Sequence, residues 1–366
     1  MEERRKNNPS ALTQVVRVRI LGEQGIDSRA IAREFFTETL RKIAISLFPE
    51  GAPIDSTLHV HNGDFHACGQ HVSASLAQGG PPPNCLDESV YTLMAEGHIL
   101  CPQDFDANKH LMPADKKFLD SVRSDVTAYS STIIEHGYTG RIDDDNAGRI
   151  DDDNADQIIN SMIVSIVSRR LVCVNEFMKG LQLLGPADII RKYPEACKEM
   201  FIMGSDDVDA NYLFSLMCPE YSEDGTTLKH IEESIMDLFQ DFLFSLEDDK
   251  IVSGYTEAMS SNDDDAVKAG ISGDNEVFQA ADLTPPGVMG WLTGQKHKPL
   301  NGELIAIQVK FDHNCLVRNP KHTRCFPQVG ACGKVLTLPV THMKTAEDFN
   351  ATFLLALAKG QSFGKA

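Results

Sequence analysis

The stretch that most constrains this chain is a short apolar strand near its C-terminal end. It reads Val335-Leu336-Thr337-Leu338-Pro339 and is entered through the loop Ala331-Cys332-Gly333-Lys334. Proline cannot donate to a sheet ladder, so Pro339 ends the strand. Leu336 and Leu338, separated by Thr337, are assigned to opposite faces, and the strand is expected to be buried on both sides. Thr345 then opens a helix, with Asp348 three residues on in a capping-box pattern. Phe349, Phe353, Ala356 and Leu357 recur at helical spacing on one face of it. A strand and a helix thus hold the base of a loop that carries one thiol, which is how a nucleophilic cysteine is offered to a bulky partner.

At 366 residues, with 42% hydrophobic and 24% charged side chains, the chain can bury a sizeable core in two or more lobes. A net charge of −19 argues against nucleic acid and against an anionic membrane surface as partners. The nine cysteines are scattered and odd in number. No signal-peptide core follows the polar start, and no apolar run approaches the ~20 residues of a spanning helix. Free thiols in a reducing compartment, cytoplasmic or nuclear, are therefore expected.

Residues 1–14 are polar and expected to be disordered. Val16, Val18 and Ile20 alternate as a half-buried strand. After a turn, Asp27 or Ser28 can cap a helix carrying Ile31, Phe35, Leu40 and Ile43. His59, His61, His66, Cys68 and His71 have spacings that fit no common zinc site, so the histidines are read as ordinary helix-surface residues. Gly79-Gly80-Pro81-Pro82-Pro83 cannot continue a helix. Residues 140–147 and 148–155 are a tandem repeat of Gly-Arg-Ile-Asp-Asp-Asp-Asn-Ala. It lacks the glycine and glutamate that a calcium-binding EF-hand loop needs, and a solvated loop is expected.

From Asp156 an apolar period runs through Ile159, Ile163, Ile166, Leu171 and Phe177 to Leu184. A second amphipathic helix over 228–246 carries Ile231, Ile235, Leu238, Phe239, Phe242 and Leu246 on one stripe, with Glu and Asp opposite. Residues 247–276 are acidic and poor in apolar side chains, a linker composition. Beyond them Trp291 is expected in the core, and Ile305, Ile307, Val309 and Phe311 alternate as a strand.

Several of these blocks, in this order, resemble the HECT-type ubiquitin ligases. Val18-Arg19-Ile20-Leu21-Gly22-Glu23-Gln24-Gly25-Ile26-Asp27 with Arg33-Glu34-Phe35-Phe36 is similar to the start of that family's N-lobe. Phe65, Gly69 and Val72-Ser73-Ala74-Ser75-Leu76 resemble its buried helix. Phe177-Met178-Lys179-Gly180-Leu181 and Pro186-Ala187-Asp188-Ile189-Ile190 resemble the return to the large N-lobe. The segment from Leu283 to Gly294 resembles the opening of the C-lobe. Cys332 precedes Leu336, Leu338 and Pro339 at the family's catalytic spacing, and Phe363-Gly364 matches its C-terminal pair.

The resemblance implies an α+β, bilobal fold, with a mostly helical N-lobe and a smaller α/β C-lobe joined by a flexible hinge. Its expected bounds are 15–246 for the N-lobe, with a conjugating-enzyme docking region reduced to about 105–156, then 247–281 for the acidic hinge and 282–366 for the catalytic C-lobe. It further implies that Cys332 accepts ubiquitin as a glycyl thioester and passes it to a substrate lysine. Leu338, Pro339 and Phe363 support that loop. The implied partners are a ubiquitin-conjugating enzyme, ubiquitin and a protein substrate, with no cofactor, nucleic acid or membrane.

Cys315, Cys325 and Cys332 compete for the role of nucleophile. His322-Thr323-Arg324-Cys325-Phe326 has one residue too many for the family loop, and its Leu-Pro lies too far downstream. A zinc site drawn from His313, Cys315, His322, Cys325 and Cys332 has irregular spacing, with His322-x-x-Cys325 as a half-site, and no metal is assigned. The alternative function is a HECT-like binding or scaffold protein that has lost transfer. It is motivated by Val329-Gly330-Ala331 and Gly333-Lys334, which replace the family's Ala-His-Thr and Phe-Asn around the cysteine.

Overall fold

The computed structural model describes residues 30–97, 99–126, 128–139, 152–204, 208–248, 282–300, 305–318, 320, 325–331 and 333–360. The expected strand at Val16, Val18 and Ile20, its turn and its helix caps lie outside this set, as do Cys332 and Phe363. The protein is α+β, mostly helical with one small mixed sheet. Its described residues fall into two compact units, one of 38–78 and 82–204, the other of 30–37, 79–81 and 208–360. The units part near residue 205, so 208–248 belongs with the segment expected as a separate C-lobe. Residues 249–281, the core of the expected hinge, are outside the described set.

Helix α1 (Ala30–Leu47) carries Leu40 into a core as expected, but Phe36 rather than Phe35 is buried. In the first unit, α2 (Asp64–Ala77) crosses α5 (Asp152–Leu181) backbone to backbone. A Cβ on Gly69 would lie 2.1 Å from the Phe177 carbonyl oxygen, and one on Gly180 would lie 2.1 Å from that of His66. Only glycine permits this approach. Phe65 and Phe177, beside the crossing, pack edge to face on Phe48 at 5.7 and 5.4 Å.

Within 105–156, the segment expected as a reduced docking region, the described residues include two helices that pack on α5. α3 (Pro113–Ser124) and α4 (Ser130–Glu135) bury Leu119, Val122 and Ile133 against Ile159, Met162 and Val167 of α5. The repeat is not all loop, because its last four residues, 152–155, form the first turn of α5. Residues 155–181 of α5 hold an 18-residue window of mean hydropathy 1.4, long and apolar enough by length and composition to cross a membrane, contrary to the sequence expectation. Ile159, Met162, Ile163, Val167, Cys173 and Val174 along it are buried in the cores of this unit. Of the histidines in this unit, His59 pairs with Asp64 at 2.6 Å and His66 contacts Gln70 at 2.7 Å.

The second unit holds a four-stranded sheet in the order β1 (Met217–Pro219), β2 (Ile307–Asp312), β4 (Val335–Pro339), β3 (Gln328–Gly330). β1, β2 and β4 run parallel, and β3 is antiparallel to β4. Leu336 and Leu338 share one fully buried face, while Val335 and Thr337 on the other are half-buried. This corrects the opposite-face assignment, since side chains two apart on a strand point the same way. β2 alternates as expected, with Ile307 and Val309 inward.

Over the sheet lie α6 (Thr227–Glu247), α7 (Pro285–Thr293) and α9 (Ala346–Gly360). Their aromatic side chains converge on Phe353, whose ring lies 5.0 Å from Phe242, 5.1 Å from Phe239, 5.4 Å from Phe349 and 5.5 Å from Trp291. The expected stripe of α6 is inward except that Ile231 and Leu238 are half-buried. Glu232 was expected on the solvent face and is buried instead.

Candidate functional site

The two ends of this sheet carry the candidate site residues. At one end β3 and β4 are joined by residues 331–334, and the cross-strand pair Gly330–Val335 marks the base of the connection. The Lys334 N–H donates to the Ala331 carbonyl at 3.3 Å, and the Lys334 carbonyl accepts from the Gln308 N–H of β2 at 2.9 Å. Ala331 is buried, and Lys334 has φ +53°, a left-handed conformation that costs a side-chain-bearing residue about 1 kcal/mol. The turn is therefore tied into the sheet on both sides of position 332, which itself lies outside the described residues. Leu338 is fully buried and Pro339 buried at the far end of β4. They anchor the strand and stand several residues from the turn.

At the opposite end, β2 and β4 finish side by side with Asp312 paired to Pro339. Three residues beyond each come Cys315, which opens the short helix α8 (Cys315–Arg318), and His342. Cys325 stands three residues before β3. One ligand atom from each of Cys315, Cys325 and His342 lies within 4.8 Å of the other two. Cys315 is buried, and the other two are half-buried. Burial pushes the Cys325 thiol up, the Cys315 thiol and the Asp312 carboxylate beside it push the same way, and Arg318 opposes them. No disulfide joins the described cysteines.

Glu232 closes this end of the unit from α6. It accepts from the Ser222 N–H and hydroxyl, both at 2.7 Å, and contacts His313 Nε2 at 2.6 Å. Burial alone would raise its carboxyl, but those partners outweigh burial and hold it below the ordinary value of 4.5.

Of the set weighed for zinc from the sequence, the fold brings Cys315 and Cys325 together and leaves His313 on Glu232. His322 and Cys332 lie outside the described residues. Sequence reasoning did not single out His342 or Glu232. For His342 the clue was register, because it follows Pro339 at the same distance as Cys315 follows Asp312. The chain matches no protein-family model and no curated protein.

Proposed function

We propose that this chain is a HECT-like, bilobal ubiquitin-protein transferase in which Cys332 accepts ubiquitin as a thioester. The observation that carries the reading is the order of its motif blocks, ending in Cys332 at fixed spacing from Leu336, Leu338 and Pro339. The tied turn supports it, since the backbone on either side of position 332 is anchored to two strands.

The chemistry is two acyl transfers. The Cys332 thiolate attacks the thioester carbonyl that joins ubiquitin to a conjugating enzyme. A new sulfur–carbon bond forms, and the enzyme's thiolate leaves. A substrate lysine amine then attacks the Cys332 thioester, an amide forms, the amine's proton passes to solvent, and Cys332 departs as thiolate. Sulfur suits both steps because a thiolate is a strong nucleophile and a good leaving group. Exchange of one thioester for another is nearly balanced, so the loop needs little activation. Leu338 and Pro339 hold the strand beneath the turn, and Phe363 positions the loaded lobe. This reading puts the protein in a reducing intracellular compartment, with a conjugating enzyme, ubiquitin and a protein substrate as partners.

The test is a single-turnover reaction with ubiquitin-loaded conjugating enzymes, resolved on a non-reducing gel. A thiol-sensitive adduct is expected that disappears in Cys332→Ala and becomes a thiol-resistant ester in Cys332→Ser. An adduct mapped by mass spectrometry to Cys325 would move the nucleophile. Folded protein that forms no adduct with a broad enzyme panel would favour the scaffold reading.

A further inference from the structure

Cys315, Cys325 and His342 come from three separate segments, namely the start of α8, the approach to β3 and the turn after β4. They meet outside the carboxyl ends of the parallel strands β2 and β4, where open sheets with parallel strands tend to gather ligands. We propose that these three residues bind one zinc ion, through two thiolates and one imidazole, and that the ion staples the three segments together.

The donor set selects the metal. Two thiolates and an imidazole suit zinc, whereas calcium and magnesium take oxygen ligands. A tetrahedral site with Zn–S of about 2.3 Å and Zn–N of about 2.0 Å sets its donor atoms about 3.5–3.8 Å apart. The three donors here, all within 4.8 Å of one another, need to close by about 1.3 Å at most. Neighbouring groups do not compete, because His313 is held by Glu232 and Asp312 by Arg318. Binding forms two sulfur–zinc bonds and one nitrogen–zinc bond, and it releases two thiol protons to solvent with no change of oxidation state. These three donors leave the fourth position to water or another ligand. The site is remote from the turn around position 332, with the whole of β4 between them.

The test uses the full chain, purified under reducing conditions, with zinc counted by elemental analysis and then replaced by cobalt(II). One metal per chain is expected, with a thiolate-to-cobalt charge-transfer band that zinc abolishes. Cys315→Ser and Cys325→Ser should lower bound metal at least tenfold, and His342→Ala should weaken affinity by about tenfold or more. His342→Cys guards against simple misfolding, since it should keep one metal per chain and raise the charge-transfer intensity by about half as thiolates go from two to three. Cys101→Ser and Cys332→Ala should keep the full metal content. The proposal is overturned if the folded, reduced chain holds under a tenth of a metal ion. It is also overturned if Cys315 and Cys325 form a disulfide whose reduced form gives no cobalt spectrum, or if metal follows Cys332 rather than Cys315. The readout is bound metal, so a failure of ubiquitin transfer leaves this result intact.

Discussion

The two ends of the sheet in the second unit are built on opposite plans. Where β3 turns back into β4, the described connection is made of Ala331, Gly333 and Lys334, two small residues and one left-handed lysine. Where β2 and β4 end side by side, the chain collects Asp312, His313, Cys315, Cys325 and His342, with Glu232 reaching in from α6. An antiparallel pair needs only a tight turn, so that end is small. Parallel strands must each be followed by a crossing segment, so their carboxyl ends gather residues from distant parts of the chain. On the proposed readings, the first plan carries the acceptor thiol and the second the metal staple.

Variants at four positions sharpen or break this contrast. Leu338→Ala removes a fully buried side chain from the strand that serves both ends, and is expected to cost about 3 kcal/mol, read by urea denaturation. Equal damage to ubiquitin loading and metal content would show that the strand supports both. Glu232→Ala leaves the Ser222 donors and His313 unpaired, and is expected to cost about 2 kcal/mol while sparing the turn. Glu232 also sets an acid limit. Its folded carboxyl titrates below 4.5, so its contribution is present above the unfolded value and lost as pH falls through the folded one. Melting temperature against pH should therefore fall less steeply on the acid side in Glu232→Gln than in the parent.

Thr345→Ala tests the support beneath both ends, because the Asp348 N–H donates to the Thr345 hydroxyl at the start of α9. A loss of about 1 kcal/mol is expected. The smallest effect belongs to the turn. Lys334→Gly relieves the positive φ and should stabilise the protein by up to about 1 kcal/mol, with metal content unchanged. A destabilised Lys334→Gly would mean that the lysine side chain contributes more than its backbone costs.

Much of the helical framework was legible from residue spacing. The inward face of α9 and the alternation of β2 followed the expected periods, because a helix or strand lying on one core must repeat its apolar residues at its own pitch. Errors arose where a local reading lacked its neighbours. Phe36 replaced Phe35 inside, and Glu232 was assigned to solvent because a carboxylate on an amphipathic helix usually lies there. The repeat was read as loop, although its final residues open α5. For Leu336 and Leu338 the pattern itself was sound, and the strand period had been applied in the wrong sense.

The order of chain segments, the thiol at a fixed distance from Leu336, Leu338 and Pro339, and the glycines at positions 69 and 180 can all be read along one line of text. What each glycine is for cannot, since Gly69 matters only because Gly180 of another helix meets it. The same holds for Cys315, Cys325 and His342. Strand register brings them together, and register is set by the packing of whole faces rather than by any residue near them in sequence. Local periodicity records which side of an element is buried. Which distant side chains share a site is decided when those buried sides close on one another.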